Sequence, residues 1–152
     1  MTGYLASFEP AMREALAEAQ AASPDVPVGA VVLAADGQII GRGRNQREAA
    51  ADPTAHAEIV ALRAAGTARG TWRLDDCTLV VTLEPCTMCA GAVLSGRVAR
   101  LVYGARDTRA GAAGSVWDLL HDLRLGPPVE VLSGVLADDC AALLRDFFGE
   151  RR

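Results

Sequence analysis

The sequence contains no lysine, two histidines and four cysteines, and aromatic residues make up 5% of its 152 residues. Its longest stretch free of charged residues and histidine spans residues 85–96, well short of the ~20 residues that a membrane-spanning helix needs. Four cysteines are too few to indicate the disulfide framework of a secreted protein. With 51% hydrophobic and 22% charged residues, the composition excludes disorder and predicts a soluble globular protein.

The charge balance gives no sign of general nucleic-acid binding. All 15 basic residues are arginines, and 19 acidic residues bring the formal net charge to -4. Any nucleic-acid-binding site must therefore rest on a local group of residues and not on the overall charge. Arginine suits bidentate phosphate contacts, but a bias in composition explains arginines that are spread along the chain more simply. Glu9, Glu14 and Glu18 exclude a secretory signal or an Arg-rich transit peptide, so we expect a cytoplasmic protein.

The chain length fits one domain, residues 1–152, on the usual ~100 to 200 residues per domain. Hydrophobic periodicity and turn signals predict alternating helices and strands, which favour an α/β layered domain with a mixed sheet. An Asp36-Gly37 turn joins the first two strands. The predicted helices are 8–22, 54–65 with a start at Asp52-Pro53-Thr54, 85–94, a short turn at 116–120, and 138–148, and the predicted strands are 28–33, 39–44, 78–83, 101–103 and 129–132.

Two short motifs stand at predicted helix starts. His56-Ala57-Glu58 begins one helix and Pro85-Cys86-Thr87-Met88-Cys89 begins the next, each after a strand and a loop. Cys86 and Cys89 are three residues apart, so their sulfurs lie on one helix face, where the helix dipole favours thiolates. One histidine and two thiolates suit Zn²⁺ and leave its fourth position open, as in catalytic zinc sites.

Glu58 is the candidate general base for a water molecule activated at such a site. Residues two apart in a helix point in nearly opposite directions, so His56 and Glu58 can share a site only if that site faces the end of the helix. H-x-E followed by P-C-x-x-C is the established signature of zinc-dependent base deaminases. The hypothesis is therefore hydrolytic deamination, with Glu58 carrying protons.

Two other interpretations of these motifs stay open. A closed structural zinc site would need a fourth ligand from His121, Cys77 or Cys140, which lie far away in the sequence. A C-x-x-C pair is also typical of thioredoxin-like redox proteins, although that function would leave His56 and Glu58 without a role. We expect Cys77 and Cys140 to pack as buried apolar groups and His121 to be structural or exposed.

The chain closely resembles the bacterial tRNA adenosine deaminases of the cytidine deaminase-like zinc family. The resemblance runs from about Val26 to Phe148 and is carried by segments 27–31, 52–63, 82–92, 104–107, 111–115, 136–144 and 146–148. It implies a three-layer αβα fold with a mixed, mainly parallel five-stranded sheet. It also implies a homodimer that converts adenosine to inosine at the wobble position of a tRNA anticodon loop.

The resemblance assigns roles to individual residues. It implies one Zn²⁺ per subunit held by His56, Cys86 and Cys89, with Glu58 as proton shuttle. It further suggests RNA contacts by Asn45 with the flipped-out base or its ribose, and by Arg106, Asp107 and Phe147 with neighbouring nucleotides.

Each of these RNA contacts has an ordinary structural alternative. Asn45 also suits a loop start, and Asp107 suits either a turn or a hydrogen bond from a sugar hydroxyl. Phe147 could stack on a base while Phe148 stays in the core, or both rings could be core. Arg151 and Arg152 could contact phosphates or belong to a frayed terminus.

Two rival functions are compatible with the sequence. A zinc deaminase acting on a free nucleobase or nucleoside (guanine, cytosine or cytidine) would share the motifs and the fold. A non-catalytic, zinc-stabilised module that binds RNA or a protein partner would share the metal site, but it would have no need of Glu58.

Overall fold

A five-stranded sheet forms the centre of the protein. The computed structural model describes residues 2–150, so Arg151 and Arg152 lie outside the described residues. In chain order the elements are α1 Thr2–Ala6, α2 Glu9–Gln20, β1 Gly29–Leu33, β2 Ile39–Arg44, α3 Ala57–Arg69, β3 Thr78–Leu83, α4 Thr87–Ser95, β4 Arg100–Ala105, β5 Glu130–Ser133 and α5 Ala137–Glu150.

The strand order is β2-β1-β3-β4-β5. β1 runs antiparallel to β2 and β3, whereas β3, β4 and β5 are parallel, so four strands share one direction and β1 is reversed. The register aligns Val31 with Val80 and Val80 with Val102, and all three are fully buried. They pack with α2 and α5 on one face, while α3 and α4 cover the other. The predicted three-layer αβα fold with a mixed sheet is confirmed.

Close packing of α3 on β2 places the first turn of α3 beside the sheet. A Cβ atom at Gly43 would collide with the Ala57 carbonyl oxygen, and one at Gly41 with the Ala61 carbonyl oxygen. Glycine at both positions therefore allows the helix backbone to lie directly on the strand. This contact fixes the N-terminus of α3, where His56 lies.

Several predicted boundaries were wrong. α3 begins at Ala57 rather than at residues 52–54, because the Asp52 carboxylate accepts hydrogen bonds from the Thr54 N–H and hydroxyl in a separate turn. The helix also continues through Gly66 and ends at Gly70, whose φ of 69° gives a left-handed cap. The short helix at 116–120 does not form, and α1 was not predicted.

Within residues 2–150, no helix combines the length and the apolar character needed to cross a membrane.

Candidate active site

The starts of α3 and α4 meet at one point. His56 is the N-cap residue of α3 and Cys86 that of α4, and Cys89 follows in the first turn of α4. His56 Nδ1 lies 3.7 Å from Cys86 Sγ and 3.6 Å from Cys89 Sγ. Both positive helix ends therefore face these groups, an arrangement that favours thiolates.

The donor set fits zinc. All three ligand atoms lie within 4.8 Å of one another. With Zn–N of about 2.0 Å and Zn–S of about 2.3 Å, a tetrahedral ion separates nitrogen and sulfur ligands by roughly 3.5 Å, close to the 3.7 and 3.6 Å observed here. Among the described residues no fourth ligand completes a closed site, because Cys77 and Cys140 are buried elsewhere and His121 pairs with Asp118 at the surface. His56, Cys86 and Cys89 can thus hold Zn²⁺ with one position open.

The two thiols differ in acidity. In the metal-free site, a hydrogen bond from the Cys89 thiol and a second one from His56 lower the pKa of Cys86 to about 3. The pKa of Cys89 is raised because its thiol proton is held in the hydrogen bond to Cys86 and because the thiol is buried. The hydrogen bond to Cys86 also raises the pKa of His56. Without a metal ion, Cys86 is therefore the thiol of this site that is ionised at neutral pH.

Glu58 lies in the first turn of α3 and is only 4% exposed. It lines the same cavity as His56, because that cavity faces the end of the helix, as the two-residue spacing requires. In the metal-free site, burial raises the pKa of Glu58 to about 7. A carboxyl group with a pKa near neutrality can both accept and donate a proton at physiological pH.

The cavity at this point has a volume of about 200 Å³. Asn45 lines it, and the Asn45 side chain is held by the loop: its Nδ2 donates to the Val26 carbonyl and its Oδ1 accepts from the Arg47 N–H. Asp107 also lines the cavity, and its Oδ1 accepts the N–H groups of Arg109 and Ala110. The structure thus brings Asn45 and Asp107 to the same cavity as His56, Glu58 and Cys86.

A wider groove of about 760 Å³ continues from this cavity, and the two share Val26, Leu83 and Asp107. Arg106 lines the groove, and so does Phe148, which is 46% exposed. The prediction that Phe148 is in the core was wrong, because the apolar stripe of α5 faces the groove at its C-terminal end. Phe147 is half-buried, outside the groove lining, with its ring 5.2 Å from that of Phe148.

Arginines that lack a carboxylate partner gather along these two cavities. Seven described arginines form ion pairs: Arg13, Arg42, Arg63, Arg69, Arg73, Arg100 and Arg124. Of the described arginines outside these pairs, only Arg44 and Arg97 lie away from the cavity and groove. The other four line them: Arg47, Arg106, Arg109 and Arg145. The acidic chain therefore has, beside the metal-binding residues, four arginines that form no ion pair.

Sequence reasoning missed several residues around the site. Arg47 follows Asn45 closely, and Arg109 follows Asp107, so proximity to a candidate contact was the available signal. Two buried carboxylates were also missed: Asp25 accepts the N–H groups of Glu48 and Ala49, and Glu84 binds the loop after β4. For Glu84 the signal was an acidic residue at the end of an otherwise apolar strand.

Comparisons with known proteins point to one family. The model of the cytidine and deoxycytidylate deaminase zinc-binding region matches residues 6–105. The tRNA-specific adenosine deaminase of Bacillus subtilis is 47% identical over 93% of this chain and 88% of its own length. The tRNA(Ile)-lysidine synthase of Deinococcus radiodurans is 56% identical over 93% of this chain, which spans only 25% of that protein.

Solved structures agree. A structure from studies of A-to-I editing by tRNA:A34 deaminases at the wobble position of transfer RNA has a TM-score of 0.85 and 41% identity, over 89% of this chain and 99% of that one. Guanine deaminase from Nitrosomonas europaea has a TM-score of 0.81 and 29% identity, over 93% of this chain and 84% of that one. The chain belongs to the cytidine and deoxycytidylate deaminase family of zinc-binding proteins.

Proposed function

We propose that this protein hydrolyses adenosine to inosine at the wobble position of a tRNA anticodon loop. The observation that carries the proposal is one continuous depression, in which a base-sized cavity beside His56, Cys86 and Cys89 opens into a groove lined by three arginines without ion pairs. Relatives that match most of their own length are named tRNA-specific adenosine deaminases, which supports the same substrate. Residues 1–152 form one deaminase unit in this proposal.

The metal-binding residues and Glu58 have different roles in the reaction. His56 Nδ1 and the sulfurs of Cys86 and Cys89 hold Zn²⁺, which when bound supplies a Lewis acid that makes water nucleophilic at neutral pH. Glu58 accepts a proton from the water that attacks C6 of adenine and transfers it to the adjacent ring nitrogen. It then assists departure of the exocyclic amine as ammonia.

The loops and α5 select the substrate. Asn45 has amide and carbonyl groups suited to the edge or ribose of a flipped-out base, and Asp107 can accept a hydrogen bond from a sugar hydroxyl. Arg106 and the other groove arginines contact phosphates, and Phe147 contributes to neighbouring-nucleotide contacts through the end of α5. The anticodon stem-loop is the partner, and the cytoplasm is the compartment in which we expect a protein with this substrate.

A homodimer is part of the same proposal. A largely apolar groove of about 720 Å³ between α3 and α4 contains Ile59, Leu62 and Trp72, and Trp72 is 61% exposed. A second copy of the chain would cover this apolar surface. Light scattering should give twice the monomer mass for the wild type, whereas Trp72→Arg should give monomers if this groove is the interface.

Deamination of a free nucleobase is the second candidate. The small cavity is the right size for a base, and guanine deaminase shares the fold. The test is to incubate zinc-loaded protein with an anticodon stem-loop bearing a wobble adenosine, and separately with adenosine, guanine, cytosine and cytidine. Nuclease digestion and mass spectrometry should show inosine at the wobble position alone. Turnover of a free base without any in the stem-loop would establish the second candidate.

A further inference from the structure

Glu84 is a buried carboxylate that the proposed chemistry does not use. It directly precedes Pro85 and Cys86 in the sequence, and it is 2% exposed. Its Oε1 accepts the Asp107 N–H at 3.0 Å and the Ser115 hydroxyl. Its Oε2 accepts the N–H groups of Ala113 and Ser115, both at 3.0 Å. All four donors come from one loop after β4.

The loop is built around this carboxylate. A Cβ atom at Gly111 would collide with the Glu84 carboxyl carbon, so only glycine allows the backbone to pass there. The Ala112 N–H donates to the Pro85 carbonyl, which ties the loop to the start of the metal-binding segment as well. A buried charge is costly unless several hydrogen bonds compensate it, and an apolar side chain would fill the same space more cheaply.

The contacts of Glu84 join the two halves of the cavity. Glu84 lines the cavity together with His56, Glu58 and Asp107. Its strand leads directly into Cys86, and its Oε1 holds the backbone of Asp107. One side chain thus links a metal ligand to the loop that carries Asp107 and Arg109.

We propose that Glu84 is a positioning residue for the RNA substrate, which acts by holding the Asp107 loop against the cavity. The inference rests on the proposed function for the identity of the substrate. It assigns to Glu84 an effect on substrate binding, expressed through Asp107, and no direct part in the proton transfers.

Glu84→Gln is a selective test because glutamine replaces one acceptor oxygen by an NH₂ donor. If the NH₂ takes the place of Oε2, it faces two backbone N–H groups. If it takes the place of Oε1, the Ser115 hydroxyl can rotate to accept from it, and only the Asp107 N–H loses its acceptor. The substitution should therefore release Asp107 in particular, at nearly constant volume.

Glu84→Gln is expected to raise the KM for the stem-loop on the order of tenfold, because one buried donor is left without a partner. kcat and zinc content should stay close to wild type. Ser115→Ala is the matched control: it removes one donor, leaves the Asp107 N–H bonded, and should change KM little. In an Asp107→Ala background, Glu84→Gln should raise KM clearly less than in the wild type, because the side chain that it positions is gone.

The double variant Glu84→Gln/Ser115→Ala sharpens the test. Without the Ser115 hydroxyl, no orientation of the glutamine amide is compensated, so KM should rise by more than the product of the two single effects. A tenfold fall in kcat with unchanged KM in Glu84→Gln would overturn the proposal. A full Glu84→Gln effect in the Asp107→Ala background would also overturn it.

A measurement on the wild type keeps the test independent of variant folding and of RNA. In zinc-loaded protein without RNA, the amide hydrogens of Asp107, Ala113 and Ser115 should exchange slowly with solvent. Fast exchange of the Asp107 amide would contradict the proposed hold on the loop. If these amides are protected but the stem-loop is not deaminated, the proposed function fails while the contact of Glu84 with the loop stands.

Discussion

The two walls of the cavity are built in different ways. The metal-binding wall consists of two helix starts, where His56 and Cys86 are N-cap residues and Glu58 and Cys89 lie in the first turns. The other side, the loop wall, is formed by Asn45, Arg47, Asp107 and Ala110 at the cavity and by Arg106, Arg109 and the end of α5 along the groove. Regular backbone fixes the first wall, whereas individual side chains hold the second.

One buried carboxylate organises each loop. Asp25, 2% exposed, accepts the N–H groups of Glu48 and Ala49, at 2.8 and 3.1 Å. Glu84 does the same for the loop that carries Asp107. The loops that carry Arg47 and Arg109 are thus held by contacts separate from the helix starts that hold His56, Glu58 and Cys86. We therefore expect changes in the metal-binding wall to affect chemistry and changes in the loop wall to affect binding.

The largest effect should come from Glu58→Gln. Removing the proton shuttle should lower kcat for the stem-loop by about 10³-fold, within the range for general acid-base catalysis. Zinc content, measured by atomic absorption, and stem-loop affinity should stay near wild type because the metal ligands and loops are untouched. Activity equal to wild type would contradict the role of Glu58.

Metal removal should expose the unusual acidity of Cys86. Because its pKa is lowered to about 3 in the metal-free site, Cys86 is already a thiolate at pH 5. Its rate of alkylation by iodoacetamide after chelation should be nearly constant from pH 5 to pH 8. An ordinary thiol should react up to about 10³-fold faster at pH 8 than at pH 5, because its thiolate fraction rises over that interval. Fragmentation mass spectrometry of the labelled peptide distinguishes Cys86 from Cys89 and Cys77, and a tenfold rise per pH unit at Cys86 would refute the prediction.

Arginines of the loop wall should affect binding more modestly. Arg109→Ala or Arg145→Ala should weaken stem-loop binding several-fold and reduce the slope of log affinity against log salt by about 0.7 for each phosphate that the variant no longer neutralises. Arg97→Ala is the matched control, since Arg97 also lacks an ion pair but lies outside the groove. Equal effects of Arg97→Ala and Arg145→Ala in a salt titration would remove the case for a phosphate-binding groove.

Asp25→Asn should have the smallest effect. An asparagine NH₂ would leave one of the Glu48 and Ala49 N–H groups without an acceptor, at a cost of about 1–3 kcal/mol. For a chain of this size Tm should fall by roughly 3–10 °C, as measured by calorimetry, while kcat stays near wild type. A fall in kcat comparable to that of Glu58→Gln would mean that the two walls are not independent.

The same contrast explains what the sequence could predict. Local helix geometry predicts that Cys86 and Cys89 share one helix face. The meeting of His56 with these cysteines, 30 and 33 residues away, is predicted by the motif pair H-x-E and P-C-x-x-C and not by spacing alone. The binding of four loop donors by Glu84 depends on contacts between residues 23 to 31 positions apart. The orientation of Phe148 depends on how far α5 extends along the groove. The local sequence pattern predicts neither the contacts of Glu84 nor the orientation of Phe148.

The most direct test of the division between chemistry and selection is to measure, for each variant, the stem-loop dissociation constant and the single-turnover rate at saturating RNA. The account predicts that Glu58→Gln retains wild-type affinity with almost no inosine formed, and that Arg109→Ala/Arg145→Ala binds weakly yet forms inosine at nearly the wild-type rate once saturated. Loss of affinity in Glu58→Gln, or a saturated rate in the arginine variant as low as that of Glu58→Gln, would contradict it.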